Sequence, residues 1–305
     1  MTITACLAAE GFEDQLRHEL GGRVTAEHGR LFLAEGEAAA AWAANTWFDV
    51  QEVAIGSIGD AAAKLKAIQR NWWPYAPLHH RRAKLIVEKL PHVSARPLVF
   101  GAALPAAPLG SFTLLAPDRM LYAPRCSAPV PNGDFVFVED REGPPSRAYL
   151  KLWEGLTRHA HAFGGDMPRP GDACLDLGAC PGGWTWVLAS CGAQVTAVDK
   201  APLADSVMAM PNVRWHEGSA FALDPRDFDP VDWLCSDIIC YPARLLKLAE
   251  RWLASGRVRN AVCTLKFQGE TDFDTAQAFA AIPGSRLMHL HHNKHELTWM
   301  WRRPE

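Results

Sequence analysis

The sequence lacks most of the features that would send it to a membrane, an export route or a metal. No run of apolar residues approaches the roughly 20 that a spanning helix needs. Its first residues, Met1-Thr2-Ile3-Thr4, do not show the charged-then-apolar pattern of a secretory leader. The eight cysteines form no C-x-x-C pair, and Cys174, Cys235 and Cys263 lie inside apolar runs. They read as reduced core residues, which gives the expectation of a cytoplasmic protein. Positive charge is not in excess: 31 Lys and Arg face 34 Asp and Glu, for a net charge of -3. That excludes a uniformly cationic coat, so any binding of RNA needs a local basic patch. The dinucleotide fingerprint G-x-G-x-x-G is absent, and so is the lysine followed by Ser or Thr that closes a phosphate-binding P-loop. There is no internal repeat and no low-complexity tail. What remains is a chain of 305 residues, 49% apolar and 21% charged, enough for a sizeable core in one large domain or two smaller ones.

One stretch organises the rest: Asp176-Leu177-Gly178-Ala179-Cys180-Pro181-Gly182-Gly183-Trp184-Thr185. The apolar run 173–177 reads as a buried strand, and 184–190 reads as a helix. A glycine-rich turn from strand to helix N-terminus is how doubly wound folds receive nucleotide-like ligands. Here the strand ends in a carboxylate, which suits a ligand carrying an amino group and positive charge. S-adenosylmethionine (SAM) has both.

The N-terminal half alternates short strands and helices, as a small α+β domain does. Strands are predicted over 3–8 and 50–58, with a hairpin over 24–34 turning at His28-Gly29. Helices are predicted over 11–20, over the alanine-rich 37–47, and over 60–70. Arg70-Asn71-Trp72-Trp73-Pro74-Tyr75 and His79-His80-Arg81-Arg82-Ala83-Lys84 mix aromatics with cations, as nucleic-acid surfaces do; the alternative is a solvated loop. Residues 98–109 are Ala/Pro-rich without period. A second hairpin is predicted over 113–123 and a short strand over 135–138. The charged, Pro/Gly-rich segment 140–145 reads as a linker, which sets domains at 1–139 and 140–305.

Beyond the linker, Ser146 stands where a helix N-cap belongs. Tyr149, Trp153, Leu156, Ala160 and Phe163 then recur at helical spacing, with Lys151 turned off that face. Strands are predicted over 173–177, 194–198, 213–216, 233–236 and 261–265. Two more, 286–291 and 297–301, have little room between them and should form an antiparallel hairpin. A helix over 242–255 begins at a proline and stops at Gly256. The fold class is therefore α/β, a Rossmann-like sheet with a closing antiparallel hairpin, behind a smaller α+β domain. Asp199 ends the second strand, 23 residues after Asp176, where an acid accepts from ribose hydroxyls. In the cluster His289, His291, His292 and His295 the alternation His289/His291 is strand spacing, and no cysteine or carboxylate pair accompanies it apart from Glu296, so no metal is expected.

The stretch 176–185 resembles motif I of the FtsJ-type ribose 2′-O-methyltransferases, D-L-G-x-x-P-G-G-W. Pro145-Ser146-Arg147-Ala148-Tyr149-Leu150-Lys151-Leu152 resembles the family's S-R-x-x-x-K-L segment. The resemblance implies a methyltransferase sheet, SAM as cofactor and a K-D-K-E tetrad, here Lys151, Asp237, Lys266 and Glu296. It implies SAM contacts from Asp176, Gly178, Ala179, Cys180, Pro181, Gly182, Gly183, Trp184, Asp199 and Asp237. Where the family has an acid facing adenine, this chain has Ser219, with Glu217 two residues earlier, so either serves or the Ser219 backbone does. Trp252-Leu253-Ala254-Ser255-Gly256 and Gly11-Phe12-Glu13 narrow the resemblance to members that act on a cytidine ribose of 23S rRNA and carry a THUMP-containing N-terminal half. That half matches patchily, so a THUMP-like RNA-binding domain is expected from the resemblance alone. A methyltransferase of another RNA, or an inactive RNA-binding assembly factor, stays open at this point.

A ribose hydroxyl is a poor nucleophile, so a base must take its proton as its oxygen attacks a methyl in line. An ordinary lysine, with a pKa of ~10.4, is protonated at neutrality; a desolvated neighbour cation that lowers it by ~3 units supplies about 4 kcal/mol. This assigns Lys266 as base, Lys151 as its modulator and positioning group, and Asp237 and Glu296 as orienters, with the choice between the two lysines the looser part.

Overall fold

The computed structural model describes residues 2–304, so Met1 and Glu305, the outermost residues of the two expected domains, lie outside the described residues. The chain divides into two compact units, Met1–Val136 and Phe137–Glu305.

The first unit holds β1 (Ile3–Ala8), α1 (Glu13–Leu20), β2 (Val24–His28), β3 (Leu31–Glu35), β4 (Ala43–Phe48) and β5 (Gln51–Ala54). It continues with α2 (Ile58–Ile68), β6 (Trp72–Pro74), α3 (His80–Val87), β7 (Gly110–Ala116), β8 (Arg119–Ala123) and β9 (Arg125–Cys126). They build two sheets, ordered β2-β3-β1-β4-β9 and β5-β8-β7-β6. The hairpins over 24–34 and 113–123 are present. Three expectations are corrected. Residues 37–47 are not a helix: Glu37–Ala40 is irregular and β4 pairs antiparallel with β1, with Trp42 and Trp47 in the core. Alanine's helical preference is a fraction of a kcal/mol per residue, less than burial of two indoles yields. No strand forms over 135–138 among the described residues. The aromatic run at 72–75 is not one RNA-facing surface either. Trp72 is 1% exposed and its indole donates to Leu65 and Gln69 carbonyls, while the Tyr75 hydroxyl accepts from the Arg30 amide.

The second unit holds α4 (Tyr149–Phe163), β10 (Ala173–Leu177), α5 (Gly183–Ser190), β11 (Gln194–Asp199), α6 (Asp205–Met208), β12 (Val213–Glu217) and β13 (Val231–Ser236). It closes with α7 (Pro242–Ala254), β14 (Val258–Lys266), α8 (Phe273–Ala281), β15 (Ser285–Met288) and β16 (Glu296–Arg302). Its single sheet runs β12-β11-β10-β13-β14-β16-β15. β10 to β14 are parallel, and β16 lies antiparallel between β14 and β15. The strands β10, β13, β14 and β16 are almost wholly buried, as strands covered on both faces are. α4 keeps its apolar stripe against β14 and β16 and ends at Gly164 in the left-handed region, a common helix stop. Ser146 is not its N-cap: the helix starts after Ala148 without a side-chain cap.

Candidate active site

The order of this sheet reverses between β10 and β13, and there the chain opens a cavity of about 470 Å³ at the carboxyl ends of the strands. β10 ends in Asp176-Leu177 and the loop to α5 turns over it. Gly178 has φ +78, and a Cβ there would lie 2.7 Å from the Ile238 side chain. Only glycine lets this loop meet the residue after Asp237. Gly182, also in the left-handed region at φ +108, is the residue before α5. A Cβ at Gly182 would face Val207, and the residue is not among those bordering the cavity. The other expected cofactor residues border it: Asp176, Gly178, Ala179, Cys180, Pro181, Gly183, Trp184, Asp199, Ser219 and Asp237. Trp184 is 3% exposed, and its indole donates to the Ala148 carbonyl at 2.9 Å, so it also fastens the segment leading into α4.

Asp176 is the most unusual charge in the unit. Its Oδ2 accepts from the Thr185 hydroxyl at 2.6 Å, while its buried Oδ1 has no partner. Burial pushes its carboxyl up to about 7, against the Thr185 hydrogen bond, with Asp237 and Asp199 adding to the rise. Asp199 accepts from the Cys180 amide through Oδ2 and from the Ala201 amide through Oδ1, both at 3.0 Å. A carboxylate has about four acceptor sites, so two remain for other donors. Ser219 lines the cavity, whereas Glu217 is exposed and does not.

The structure brings Lys151, Asp237, Lys266 and Glu296 together. Lys151 Nζ lies 2.7 and 2.8 Å from the two Asp237 carboxylate oxygens and 3.1 Å from Glu296 Oε1. Lys266 Nζ is 3.1 Å from Asp237 Oδ1 and also donates to the Asp237 carbonyl. The strand register explains much of this. Asp237 follows β13 directly, and Lys266 and Glu296 are paired residues at adjoining ends of β14 and β16. All four side chains are at least four-fifths buried. Two lysines and two carboxylates thus partner one another where little water reaches. Of the four, Lys266 and Asp237 line the cavity.

Several neighbours were invisible in the sequence. Arg244, in the first turn of α7, lies 3.7 Å over the Phe221 ring, and both line the cavity. Glu154 is fully buried, accepts from Arg158 Nε at 2.8 Å, and takes the amides of His291 and His292 at 3.0 and 3.2 Å. It thereby ties α4 to the segment that leads into Glu296. The one sequence signal is an acid four residues before an arginine on a helix, and solvated pairs look the same. Of the histidines, His289 is pushed down to about 4 by burial and its Nε2 contacts the Lys294 carbonyl at 2.9 Å. His295 Nε2 meets the Thr271 hydroxyl at 2.8 Å. Among the described residues no group of three or more His, Cys, Asp or Glu could hold a metal ion, and no helix is long and apolar enough to cross a membrane.

The residues present fit SAM. The partnerless Asp176 Oδ1 is a buried acceptor for an ammonium group, Asp199 retains acceptor sites for ribose hydroxyls, and Gly178 leaves room for close approach to the backbone. The sheet order and the glycine loop define a Rossmann-like fold with a cavity at its switch point. Residues 144–278 match the family model of the FtsJ-like methyltransferases. Among curated proteins, the Ribosomal RNA large subunit methyltransferase M of Halorhodospira halophila is 38% identical over 164 residues, 52% of this chain and 47% of the relative. The protein of that name from Azotobacter vinelandii is 43% identical over 123 residues, 40% of this chain and 34% of its own. The chain spans about half the length of the curated relatives it matches. Among solved structures, a TehB-like SAM-dependent methyltransferase from Corynebacterium glutamicum aligns with 51% of this chain and 96% of its own, at 20% identity and a TM-score of 0.34.

Proposed function

We propose that this chain is a SAM-dependent ribose 2′-O-methyltransferase of RNA, acting on a cytidine in 23S rRNA in the cytoplasm. Residues 140–305 would carry the chemistry and residues 1–139 would serve as a THUMP-like RNA-binding domain. The observation that carries this reading is the cluster of two lysines and two carboxylates beside a cavity fitted to SAM. The name of the relatives supports large-subunit rRNA as substrate.

When bound, SAM supplies a methyl group on a sulfonium; the 2′-oxygen forms the new O–C bond as the C–S bond breaks. The chain's residues do the rest. Lys266, which lines the cavity, takes the 2′-hydroxyl proton in its neutral amine form. Lys151, held by two carboxylates, positions the ribose and keeps positive charge beside the attacking oxygen. Asp237 holds both lysine nitrogens in register, and Glu296 holds Lys151 as well. Asp176 would pair with the cofactor's ammonium group, Asp199 would accept from its ribose hydroxyls, and Ser219 would serve its adenine. Holding methyl and oxygen in line supplies much of the rate. The test is transfer of a labelled methyl group to 23S rRNA by the wild type and Lys266→Ala. A loss of at least ~100-fold in rate with SAM affinity retained is expected for removal of a general base. Equal rates would overturn the assignment.

A further inference from the structure

We propose that the first unit carries a second site, a pocket that receives one unstacked RNA nucleobase, built on Trp73 and Asn132. The proposal rests on the reading of RNA as substrate, and the mechanism above uses none of its residues.

The pocket is a cavity of about 590 Å³ bordered by Asn71, Trp73, Arg96, Val99, Asn132 and Val136. That is within the ~300–1,000 Å³ of small-ligand sites. β6 is the edge strand of its sheet, and alternation along it sends Trp72 into the core and Asn71 and Trp73 to the other side. Leu109 and Val130 form buried walls, whereas Val99 and Val136 at the mouth are 63% and 42% exposed. An apolar slot with an aromatic wall, open to solvent, suits a flat ring more than a phosphate.

Asn132 adds a polar contact. Its backbone is left-handed, φ 51 and ψ 7, a conformation few side chains adopt without strain. The turn is pinned, since a Cβ on Gly133 would fall 2.0 Å from the Ala44 carbonyl oxygen. Asn132 Oδ1 is buried without a hydrogen-bond partner, which is uncommon for such an acceptor. Every base offers an N–H donor on its Watson–Crick edge, and single-stranded bases are read by stacking plus edge contacts of this kind. Charge favours a polyanion here. Residues 70–96 hold six Lys or Arg against Glu88 alone, while the rest of residues 1–136 hold seven against twelve acids. Arg81, Lys84, Lys89 and Arg96 are exposed and available to phosphates.

The test uses the full chain and two fluorescent strands of equal length, single-stranded oligo(C) RNA and an abasic strand with the same phosphates. The wild type should bind oligo(C) about tenfold tighter than the abasic strand, the effect of one stacked base. Trp73→Leu and Asn132→Gly should each shrink that gap below about threefold without changing abasic binding. Glycine adopts φ 51 freely, so Asn132→Gly removes the amide without disturbing the turn. A gap unchanged in both variants would overturn the pocket, as would a wild type that binds both strands equally. Methyl transfer to rRNA, measured in parallel, separates the two ideas. Transfer with an unchanged gap sinks only the pocket. A base-dependent gap lost in the variants, without transfer, supports the pocket and sinks the methyltransferase reading.

Discussion

Asp176→Asn should make the cofactor-free protein more stable, and by an amount that depends on pH in a specific way. Asp176 is 1% exposed, one of its oxygens has no partner, and its carboxyl is lifted from 3.8 to about 7. An acid whose folded pKa is raised holds its proton in the folded state at pH values where the unfolded chain has released it. Stability therefore falls as pH rises from about 4 to about 7, at about 1.4 kcal/mol per unit, and is flat beyond. The full penalty above pH 7 is on the order of 4 kcal/mol. Asparagine carries no charge but places an amide donor where Oδ1 stands, at a constant cost of ~1–3 kcal/mol. The difference between the two proteins isolates the titration from every other group. That matters because His159 and His289, both pushed down to about 4 by burial, lose stability in the opposite direction as pH falls from 6.5. Urea denaturation of both proteins at pH 5, 6, 7 and 8 measures it. The advantage of Asp176→Asn should grow by roughly 2 kcal/mol between pH 5 and 7 and level by pH 8. A difference independent of pH would refute the claim that this carboxylate is desolvated and unpaired.

Three further outcomes follow from the same geometry. SAM affinity measured by calorimetry should weaken about tenfold per pH unit below 7, since binding must ionise Asp176; affinity constant between pH 5.5 and 7.5 would contradict its role. Glu154→Ala should cost ~3–5 kcal/mol in chemical denaturation, because Arg158 and two backbone amides lose a fully buried partner; a cost below 1 kcal/mol would show the carboxylate to be dispensable. Gly178→Ala puts a methyl 2.7 Å from Ile238 at a left-handed position, so SAM affinity should drop more than ~10-fold, and unchanged binding would mean that the loop has slack.

How far the chain could be read from its residues depends on how local the physics was. The sheet of the second unit was legible because its central strands, covered on both faces, are short apolar runs, and because the proline that opens α7 and the glycine beyond its end are local signals. The meeting of Lys151, Asp237, Lys266 and Glu296 could be anticipated for a related reason. Asp237 and Lys266 stand at the carboxyl ends of parallel strands, which meet at one edge, and the antiparallel β16 brings its amino end, Glu296, to the same edge. The segment 37–47 misled because alanine content is a local preference, whereas the pairing of β4 with β1 is a contact across some forty residues. Trp72 and Trp73 are neighbours in sequence with opposite surroundings, and only the strand's alternation separates core from pocket. Glu154 could not be found at all. Its importance lies in two amides 137 and 138 residues away.

The position of the transferred methyl group is the most direct measure of the central claim. The full chain is incubated with 23S rRNA and SAM, the RNA is digested to nucleosides, and the products are resolved by mass spectrometry. The account expects a single 2′-O-methylated cytidine, absent when Lys266→Ala replaces the wild type. A methyl group on a base, or a ribose methyl that survives Lys266→Ala, would contradict it.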